Sequence, residues 1–214
     1  MRTGRLKINK RDFHYLLAFA LATIVVSSGA AYVLLNPPLP EQFYAMYILG
    51  SNGLAEHYYP NDNPNVAVGQ PVNWTIGVYN HMGSLQYVVV RVKLLNSTQQ
   101  SPDELTGTPS SVPTLFEFTR ILADNETWSI PFVWEILNAN LNSGQLVITR
   151  ISINQNAISG NLVKAVSGNN YRFVFELWFY DRPTNDLAFS WHTQNTQHSV
   201  WTQVWFNATS PASA

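Results

Sequence analysis

The stretch "YRFVFELWFYDRPTND", residues 171–186, decides the fold class of this chain. Successive side chains of a β-strand point to opposite faces of the sheet, so its residues sort by parity. The odd positions are wholly apolar or aromatic and predict a core face: Tyr171, Phe173, Phe175, Leu177 and Phe179. On the even face, Arg172 and Glu176 are expected to point to water. The rings of Trp178 and Tyr180 on that same face need another explanation.

The same alternation recurs elsewhere in the chain. Further candidate strands are "FYAMYILGS" (43–51), "NWTIGVYN" (73–80), "QYVVVRVKLL" (86–95), "TWSIPFVWEI" (127–136), "QLVITRISI" (145–153), "DLAFSW" (186–191) and "SVWTQVWFN" (199–207). Roughly eight short strands separated by Gly, Pro and Asn predict an all-β, immunoglobulin-like antiparallel β-sandwich. Pro131 favours a sheet edge or a bulge for its strand. Residues 96–113 are predicted to form a surface loop, and residues 158–166 a helical turn within a turn-rich segment.

The last predicted strand has the same mixed face as the opening stretch. Trp201 and Trp205 alternate there with small polar side chains. If the two strands share a sheet, these indoles join Trp178 and Tyr180 in one outer stripe, a candidate partner-binding surface or sugar platform. The other interpretation is that a long loop of the same domain covers the rings.

An uncharged run of 21 residues from Tyr15 to Leu35 is long enough to span a membrane as a helix. Five of the 12 Lys and Arg residues lie in the first eleven positions, which predicts a cytoplasmic N-terminus and an extracellular main domain. The alternative is a cleaved signal peptide. Ser27 and Ala31 have the small-xxx-small spacing that seats a neighbouring membrane helix.

The predicted organisation has five parts. These are a basic N-terminus (1–14), a transmembrane helix (15–35), a Pro-rich extended spacer (36–42), an extracellular β-sandwich domain (43–209) and a short tail (210–214). From Asn36 onward the chain has seven basic and twelve acidic residues, which excludes the basic stripe of a nucleic-acid binder. The absence of Cys excludes disulfides, thiol nucleophiles and Cys-based metal sites.

Chemistry-bearing motifs are missing from the sequence. There is no G-x-S-x-G, H-E-x-x-H or phosphate-binding Gly-rich loop, so neither enzymatic activity nor a cofactor is expected. His192 and His198 flank a short polar connection and are a candidate metal pair, the other interpretation being ordinary polar residues beside a turn. The four N-x-S/T sequons are candidate glycosylation sites: Asn73, Asn96, Asn125 and Asn207.

Two segments resemble a known family. "YILGSNGLAEHYYPN" followed by "VAVGQPVNWTIGVYNHMG" resembles the opening of an uncharacterised archaeal membrane-protein domain family, with Leu-Gly-x-x-Gly, Tyr-Pro, Val-Gly and Val-x-Asn-His motifs. "LADNETWSIPFVWEI" and "YRFVFELWFYD" resemble its later part. The resemblance spans residues 43–207 and implies a membrane-attached β-sandwich outside an archaeal cell, with no known activity.

These features together predict a non-enzymatic, single-pass envelope protein. It would be an accessory or structural subunit of a membrane-bound or cell-surface assembly, in contact with other membrane or envelope proteins and with lipid through residues 15–35. The alternative is a carbohydrate- or metal-binding surface module.

Overall fold

A computed structural model of the chain describes residues 9–36, 41–193 and 196–209. The chain divides into two compact units, one containing an N-terminal helix and one beginning at Glu41. The basic residues 1–8, residues 37–40 of the predicted spacer and the tail 210–214 lie outside the described residues.

The first unit contains one α-helix, α1 (Lys10–Leu35), of 26 residues. It begins earlier than the uncharged run of the sequence because Lys10, Arg11 and Asp12 continue the helix toward its N-terminus. By length and composition, residues 11–35 could cross a membrane, and a signal sequence near an N-terminus passes the same test. Ser27 and Ala31 lie one turn apart on this helix, and both are exposed within its unit.

The second unit is a β-structure. Its strands among the described residues are β1 (Phe43–Leu49), β2 (Asn65–Ala67), β3 (Pro71–His81), β4 (Gln86–Asn96), β5 (Phe116–Leu122), β6 (Thr127–Asn142), β7 (Gln145–Ile153), β8 (Asn156–Val166), β9 (Tyr171–Asp181), β10 (Asp186–Ala188), β11 (Ser190–Thr193), β12 (Thr196–Ser199) and β13 (Trp201–Thr209). A single 3₁₀ turn (Pro60–Asp62) precedes β2.

Two sheets form the layers of the fold. The first sheet has the order β1-β3-β6-β7-β8, and the second has the order β2-β13-β9-β4-β5 with β10 added beside β9. The pairs are antiparallel except for the short parallel pair of β2 with β13. Strands β11 and β12 form a separate hairpin. The predicted immunoglobulin-like β-sandwich is therefore confirmed.

The outer half of the first sheet has its own connectivity. In the immunoglobulin arrangement, the strand outermost in this sheet precedes its inner neighbour in sequence. Here β6, β7 and β8 run outward in chain order as a meander, joined by tight turns. The turn between β6 and β7 needs left-handed backbone, which Ser143 and Gly144 supply.

The core between the sheets is aromatic at its centre. The Trp74 ring lies 5.9 Å from Phe132, 5.3 Å from Trp134 and 5.8 Å from Phe173, centroid to centroid. All four side chains are buried; the Phe132 contact is stacked and the other two are edge-to-face, and such contacts add to the stabilisation from apolar burial. A core of this size holds the domain together without disulfides.

Pro131 occupies a local edge inside a central strand. The half of β6 before Glu135 pairs with β3, whereas β7 begins to pair with β6 only at Trp134. The ring of Pro131 therefore removes no hydrogen bond from the β6–β7 ladder, although the strand as a whole is central and not the edge strand that was predicted. The Asn154 side chain takes the place of a neighbouring strand there, since it donates to the Pro131 carbonyl and accepts from the Val133 amide at 2.8 Å each.

Two sequence interpretations need correction. Residues 158–166 were predicted as a helical turn, but they belong to strand β8 because Val163 and Ala165 alternate into the core beside β7. The predicted loop at 96–113 ends before a strand, β5, that the sequence interpretation did not include. Its Phe116 and Phe118 are half-buried and pack against the core.

Candidate functional site

Strand β9 separates the core from the outer face of the second sheet. The five odd-numbered side chains from Tyr171 to Phe179 are buried in the core, as the alternation predicted. The even-numbered side chains lie on the opposite, outer face. Any site made by the aromatic stripe must therefore lie on this outer face, which β13, β9, β4 and β5 build together.

The two charged residues of that face are buried, contrary to the prediction that they point to water. Glu176 is fully buried, and Arg172 is 6% exposed. The Glu176 carboxylate contacts the Lys93 ammonium at 2.9 Å, and Lys93 is also buried. The Glu176 carboxylate also accepts hydrogen bonds from the Ser110 amide at 2.8 Å and from the Trp178 indole nitrogen at 3.0 Å. Each of these partners neutralises or satisfies the buried charge.

The segment that buries this ion pair is the loop between β4 and β5, here called the cover loop (residues 97–115). Ser110 anchors it, because its amide donates to Glu176 and its carbonyl accepts from Lys93 at 2.5 Å. A second anchor is the Gln99 carbonyl, which accepts from the Arg172 guanidinium. The cover loop thus lies on the outer face and shields the middle of β9 from water.

Trp178 is held from several sides within its own domain. Besides its hydrogen bond to Glu176, its ring lies under the Arg91 guanidinium, 4.0 Å from the guanidinium carbon to the ring centroid. Phe189 packs on it at 5.6 Å between centroids. Trp178 is half-buried as a result, so internal contacts account for much of its position.

The four rings of the predicted stripe share the outer face but do not form one continuous surface. Trp201 is paired with Glu176 and Trp205 with Arg172, which puts both indoles on the even face of β9. Eight residues separate Arg172 from Tyr180, so Trp205 and Tyr180 lie roughly 27 Å apart along the strand direction. Trp205 and Tyr180 are exposed, at 40% and 39%, whereas the Trp178 and Trp201 side chains between them are half-buried.

Trp205 rests on a cation that has no acidic partner among the described residues. The Arg172 guanidinium carbon lies 4.6 Å from the Trp205 ring centroid, and the guanidinium donates to the Gln203 side chain at 3.0 Å. Burial lowers the pKa of Arg172 from its ordinary value. Cation–π stacking holds the Trp205 ring in a fixed orientation.

An exposed apolar cluster lies at the other end of the outer face, and the sequence interpretation missed it. It consists of Tyr87, Ile121 and Tyr180, here called the outer-face patch. Tyr87 of β4 is paired with Ile121 of β5. Val88 of β4 is paired with Phe179 of β9, so the residues next to this pair, Tyr87 and Tyr180, lie opposite each other. Tyr87 is 41% exposed and Ile121 57% exposed. Tyr87 alternates with the core residues Val88 and Val90 of β4, but only the register with β5 and β9 brings the three together.

The hairpin of β11 and β12 separates the candidate metal ligands. His192 is paired with Gln197, and His198 with Trp191. Because paired residues share a face, the two imidazoles lie on opposite faces of the hairpin, and His198 stacks on Trp191 at 5.5 Å. Among the residues described, no group of three or more His, Cys, Asp or Glu side chains could hold a metal ion.

The four sequons differ in what their carboxamides do. Asn73 is exposed on the outer side of β3. The side-chain nitrogen of Asn96 donates to the Lys164 carbonyl at 2.9 Å, and that of Asn207 donates to Asn65 at 2.9 Å. Asn125 accepts from the Tyr79 hydroxyl at 3.0 Å. The Asn125 side-chain nitrogen also donates to Asp124 at 2.8 Å, so Asn73 is the one of the four without a side-chain hydrogen bond to a described residue.

No family model and no curated protein matches this chain. The resemblance to an archaeal membrane-protein family therefore stays a prediction. The solved structures that this chain matches include the following two. The CARDB domain of the PF1109 protein from Pyrococcus furiosus, in complex with di-metal ions, is 11% identical with a TM-score of 0.38, covering 81% of this chain and 99% of that one. A β-glucosidase from Listeria innocua in complex with gluconolactone is 9% identical with a TM-score of 0.33, covering 79% of this chain and 17% of that one.

The described residues form one apolar N-terminal helix, followed in the sequence by a β-sandwich module. At these identities and TM-scores, neither the metal ions of the first structure nor the sugar ligand of the second is carried over to this chain.

Proposed function

We propose that this chain is a non-enzymatic, single-pass accessory subunit of a membrane-bound or cell-surface assembly. The apolar helix α1 would anchor it, with the basic N-terminus in the cytoplasm and the sandwich outside the cell. An anchored domain is concentrated beside other membrane proteins, which favours a protein partner.

The observation that carries the proposal is the outer-face patch. The cover loop and its network enclose Glu176 and Lys93, yet Tyr87, Ile121 and Tyr180 stay exposed next to one another. Tyrosine and large aliphatic side chains that lie together on a surface are typical of the centre of a protein interface. The Tyr180 hydroxyl donates to Asn185 at 2.5 Å, which fixes the ring in place before any partner binds.

The test is purification of the full chain from native membranes in a mild detergent, with the size of the assembly read on native gels. Replacing Tyr87 and Ile121 together by Ser should release the chain from its assembly. Leu105→Ser is the matched control, because Leu105 is 89% exposed and belongs to the cover loop, not to the patch. The proposal fails if the double variant folds normally and still migrates with the intact assembly.

A second pair of substitutions tests the far end of the outer face. Trp201→Ser with Trp205→Ser removes the two indoles of β13. Release by this pair, with the Tyr87 and Ile121 variant still bound, would move the interface to the Arg172 and Trp205 end. Release by both pairs would indicate a partner that spans the whole outer face.

A further inference from the structure

A polar groove lies at the β8 edge of the first sheet, beside the start of the cover loop. Its volume is about 660 Å³, within the range of ligand sites in proteins. One wall comes from the β6–β7 hairpin, with Asn140 and Gln145 on it, and the other from Gln99 in the cover loop. Its floor is the part of β8 around Asn161 and Lys164.

The lining of the groove is rich in carboxamides. Asn and Gln contribute six of its side chains: Asn96, Gln99, Asn140, Asn142, Gln145 and Asn161. Among the described residues that line it, Lys164 is the one with a charge, and no aromatic ring is present. Each carboxamide offers both donors and an acceptor, which is the complement of a hydroxyl group that also donates and accepts.

One wall of the groove is fixed by hydrogen bonds of its own. The Asn96 amide donates to the Gln99 side-chain oxygen at 2.9 Å, and the Gln99 amide donates to the Asn96 side-chain oxygen at 3.1 Å. The Asn96 side-chain nitrogen then donates to the Lys164 carbonyl at 2.9 Å and ties this wall to the floor. A wall held in this way reduces the ordering cost of binding a ligand.

Most carboxamides of the opposite wall and of the floor have uncommitted polar groups. Asn140, Gln145 and Asn161 make no side-chain hydrogen bond to another described residue, whereas Asn142 accepts from the Ser143 hydroxyl at 3.1 Å. Their donors and acceptors are therefore free for a ligand. Gln145 is half-buried within this wall, so it faces the groove with little freedom.

The floor is a bulge in strand β8. The pairing with β7 moves from Ile148–Val163 directly to Arg150–Ser159, so residues 160–162 have no regular partner in β7. Gly160 has a φ of 144°, which only glycine adopts freely. Bulges of this kind are frequent next to binding sites, where they redirect side chains.

The groove also continues along the strand edge. A smaller groove of about 330 Å³ shares Asn96, Gln145 and Lys164 with it and extends toward Asn169 and Asn170. The two together form an elongated surface that suits a chain-like ligand better than a compact one. A peptide added as a strand needs a regular edge, and the bulge interrupts that edge at residues 160–162.

We propose that the carboxamide-lined groove between the β6–β7 hairpin, β8 and Gln99 binds a neutral oligosaccharide chain. The uncommitted carboxamides hydrogen-bond the sugar hydroxyls, and the bulged backbone of β8 adds further donors and acceptors. With no acidic side chain in the lining, the site needs no bound cation. Its residues are distinct from those of the outer-face patch, so each site is tested by its own variants.

The experiment uses the full chain in phospholipid nanodiscs, because many detergents carry sugar head groups. Side-chain amide signals in nuclear magnetic resonance spectra are followed during titration with neutral hexasaccharides of α-glucose, β-glucose, β-mannose and N-acetylglucosamine. At least one of them should shift the signals of Asn140, Gln145 or Asn161. Replacing Asn140 and Gln145 together by Ala should weaken binding about tenfold, whereas Asn138→Ala, an exposed Asn of the same strand outside the groove, should not.

Four outcomes overturn the proposal. The first is that no neutral hexasaccharide shifts the signals at 10 mM, roughly the weakest binding worth calling a site. The second and third are that only an acidic oligogalacturonate binds, or only an uncharged extended Val-Thr peptide. The fourth is that the Asn140 and Gln145 double variant binds with the same affinity as the unchanged chain. A peptide response would instead assign the edge of β8 to strand addition.

Discussion

Replacing Lys93 by Met should destabilise the sandwich strongly, because it leaves the Glu176 carboxylate buried without a cation. The Lys93 and Glu176 side chains are 5% and 0% exposed, and their charged atoms lie 2.9 Å apart. Met keeps the length and apolar stem of Lys93 but removes the charge and the hydrogen bond to Ser110. Breaking one partner of such a pair costs about 3–5 kcal/mol in the free energy of unfolding.

Substituting Glu176 as well separates the effect of an unpaired buried charge from the effect of altered packing. Glu176→Gln alone leaves the Lys93 ammonium unpaired and should cost a similar amount. The double variant, Lys93→Met with Glu176→Gln, has no buried charge, and Gln keeps a carbonyl oxygen for the Ser110 amide or the Trp178 indole. It should therefore be more stable than either single variant, with a residual loss of about 1–2 kcal/mol from the missing hydrogen bonds.

The assay is thermal and chemical unfolding of the full chain, followed by intrinsic tryptophan fluorescence. For a domain of this size, about 1 kcal/mol corresponds to roughly 2–4 °C, so each single variant should lower the Tm by about 6–20 °C. Arg120→Met is the control, since it breaks the exposed ion pair with Glu126 and should cost less than about 1 kcal/mol. The interpretation is refuted if Lys93→Met behaves like this control, or if the double variant is no more stable than the single ones.

Tyr44→Phe should leave the free energy of unfolding unchanged or raise it, because the buried Tyr44 hydroxyl has no hydrogen-bond partner among the described residues. Tyr171→Phe should cost roughly 1 kcal/mol in the same assay, since its hydroxyl donates to a backbone carbonyl, and equal costs for the two would contradict this reasoning. The hydrogen bond and the charge of Asp62 raise the pKa of His57 above 6.5, so its stabilising effect is complete below pH 6.5 and is lost as the pH rises through the folded-state pKa. In a resonance titration, Asp62→Asn should lower the His57 pKa toward its ordinary value, and an unchanged pKa would contradict the assignment. Asn73 is expected to carry a glycan in the native cell, so the intact mass should exceed that of the polypeptide and fall on Asn73→Gln; a mass equal to the bare chain is the opposing result.

The core faces could be predicted because they depend on local alternation alone. The odd side chains of β9 and the even side chains of β4 follow a strict period of two, and the structure buries them. Pro131 predicted an edge or a bulge for its strand, but β6 is a central strand; only the absence of a β7 partner beside Pro131 agrees with the missing amide hydrogen. These features are local properties of a strand.

The outer face could not be predicted in the same way. Whether Glu176 meets water depends on Ser110, which lies 66 residues away in sequence, and on the course of the cover loop. Strand β8 has the Asn, Ser and Gly content of a turn, and it forms a strand because β7 offers an edge and Val163 fills the core. The bulge of β8 at residues 160–162 forms part of the carboxamide-lined groove, and no sequence pattern predicted this bulge.

The parallel pairing of β2 with β13 affects how the sandwich bears mechanical load. Phe43, the first residue of β1, lies at the end of the domain where β4 starts. Strand β13 is antiparallel to β9, and β9 is antiparallel to β4, so β13 runs in the direction of β4 and ends at the opposite end of the domain. A pull between Phe43 and Thr209 therefore runs along the strands. Under such a pull, the hydrogen bonds of β1 with β3 and those of β13 with β9 and β2 are loaded in shear. A tethered domain with this geometry resists stretching far better than one whose terminal strands unzip one bond at a time.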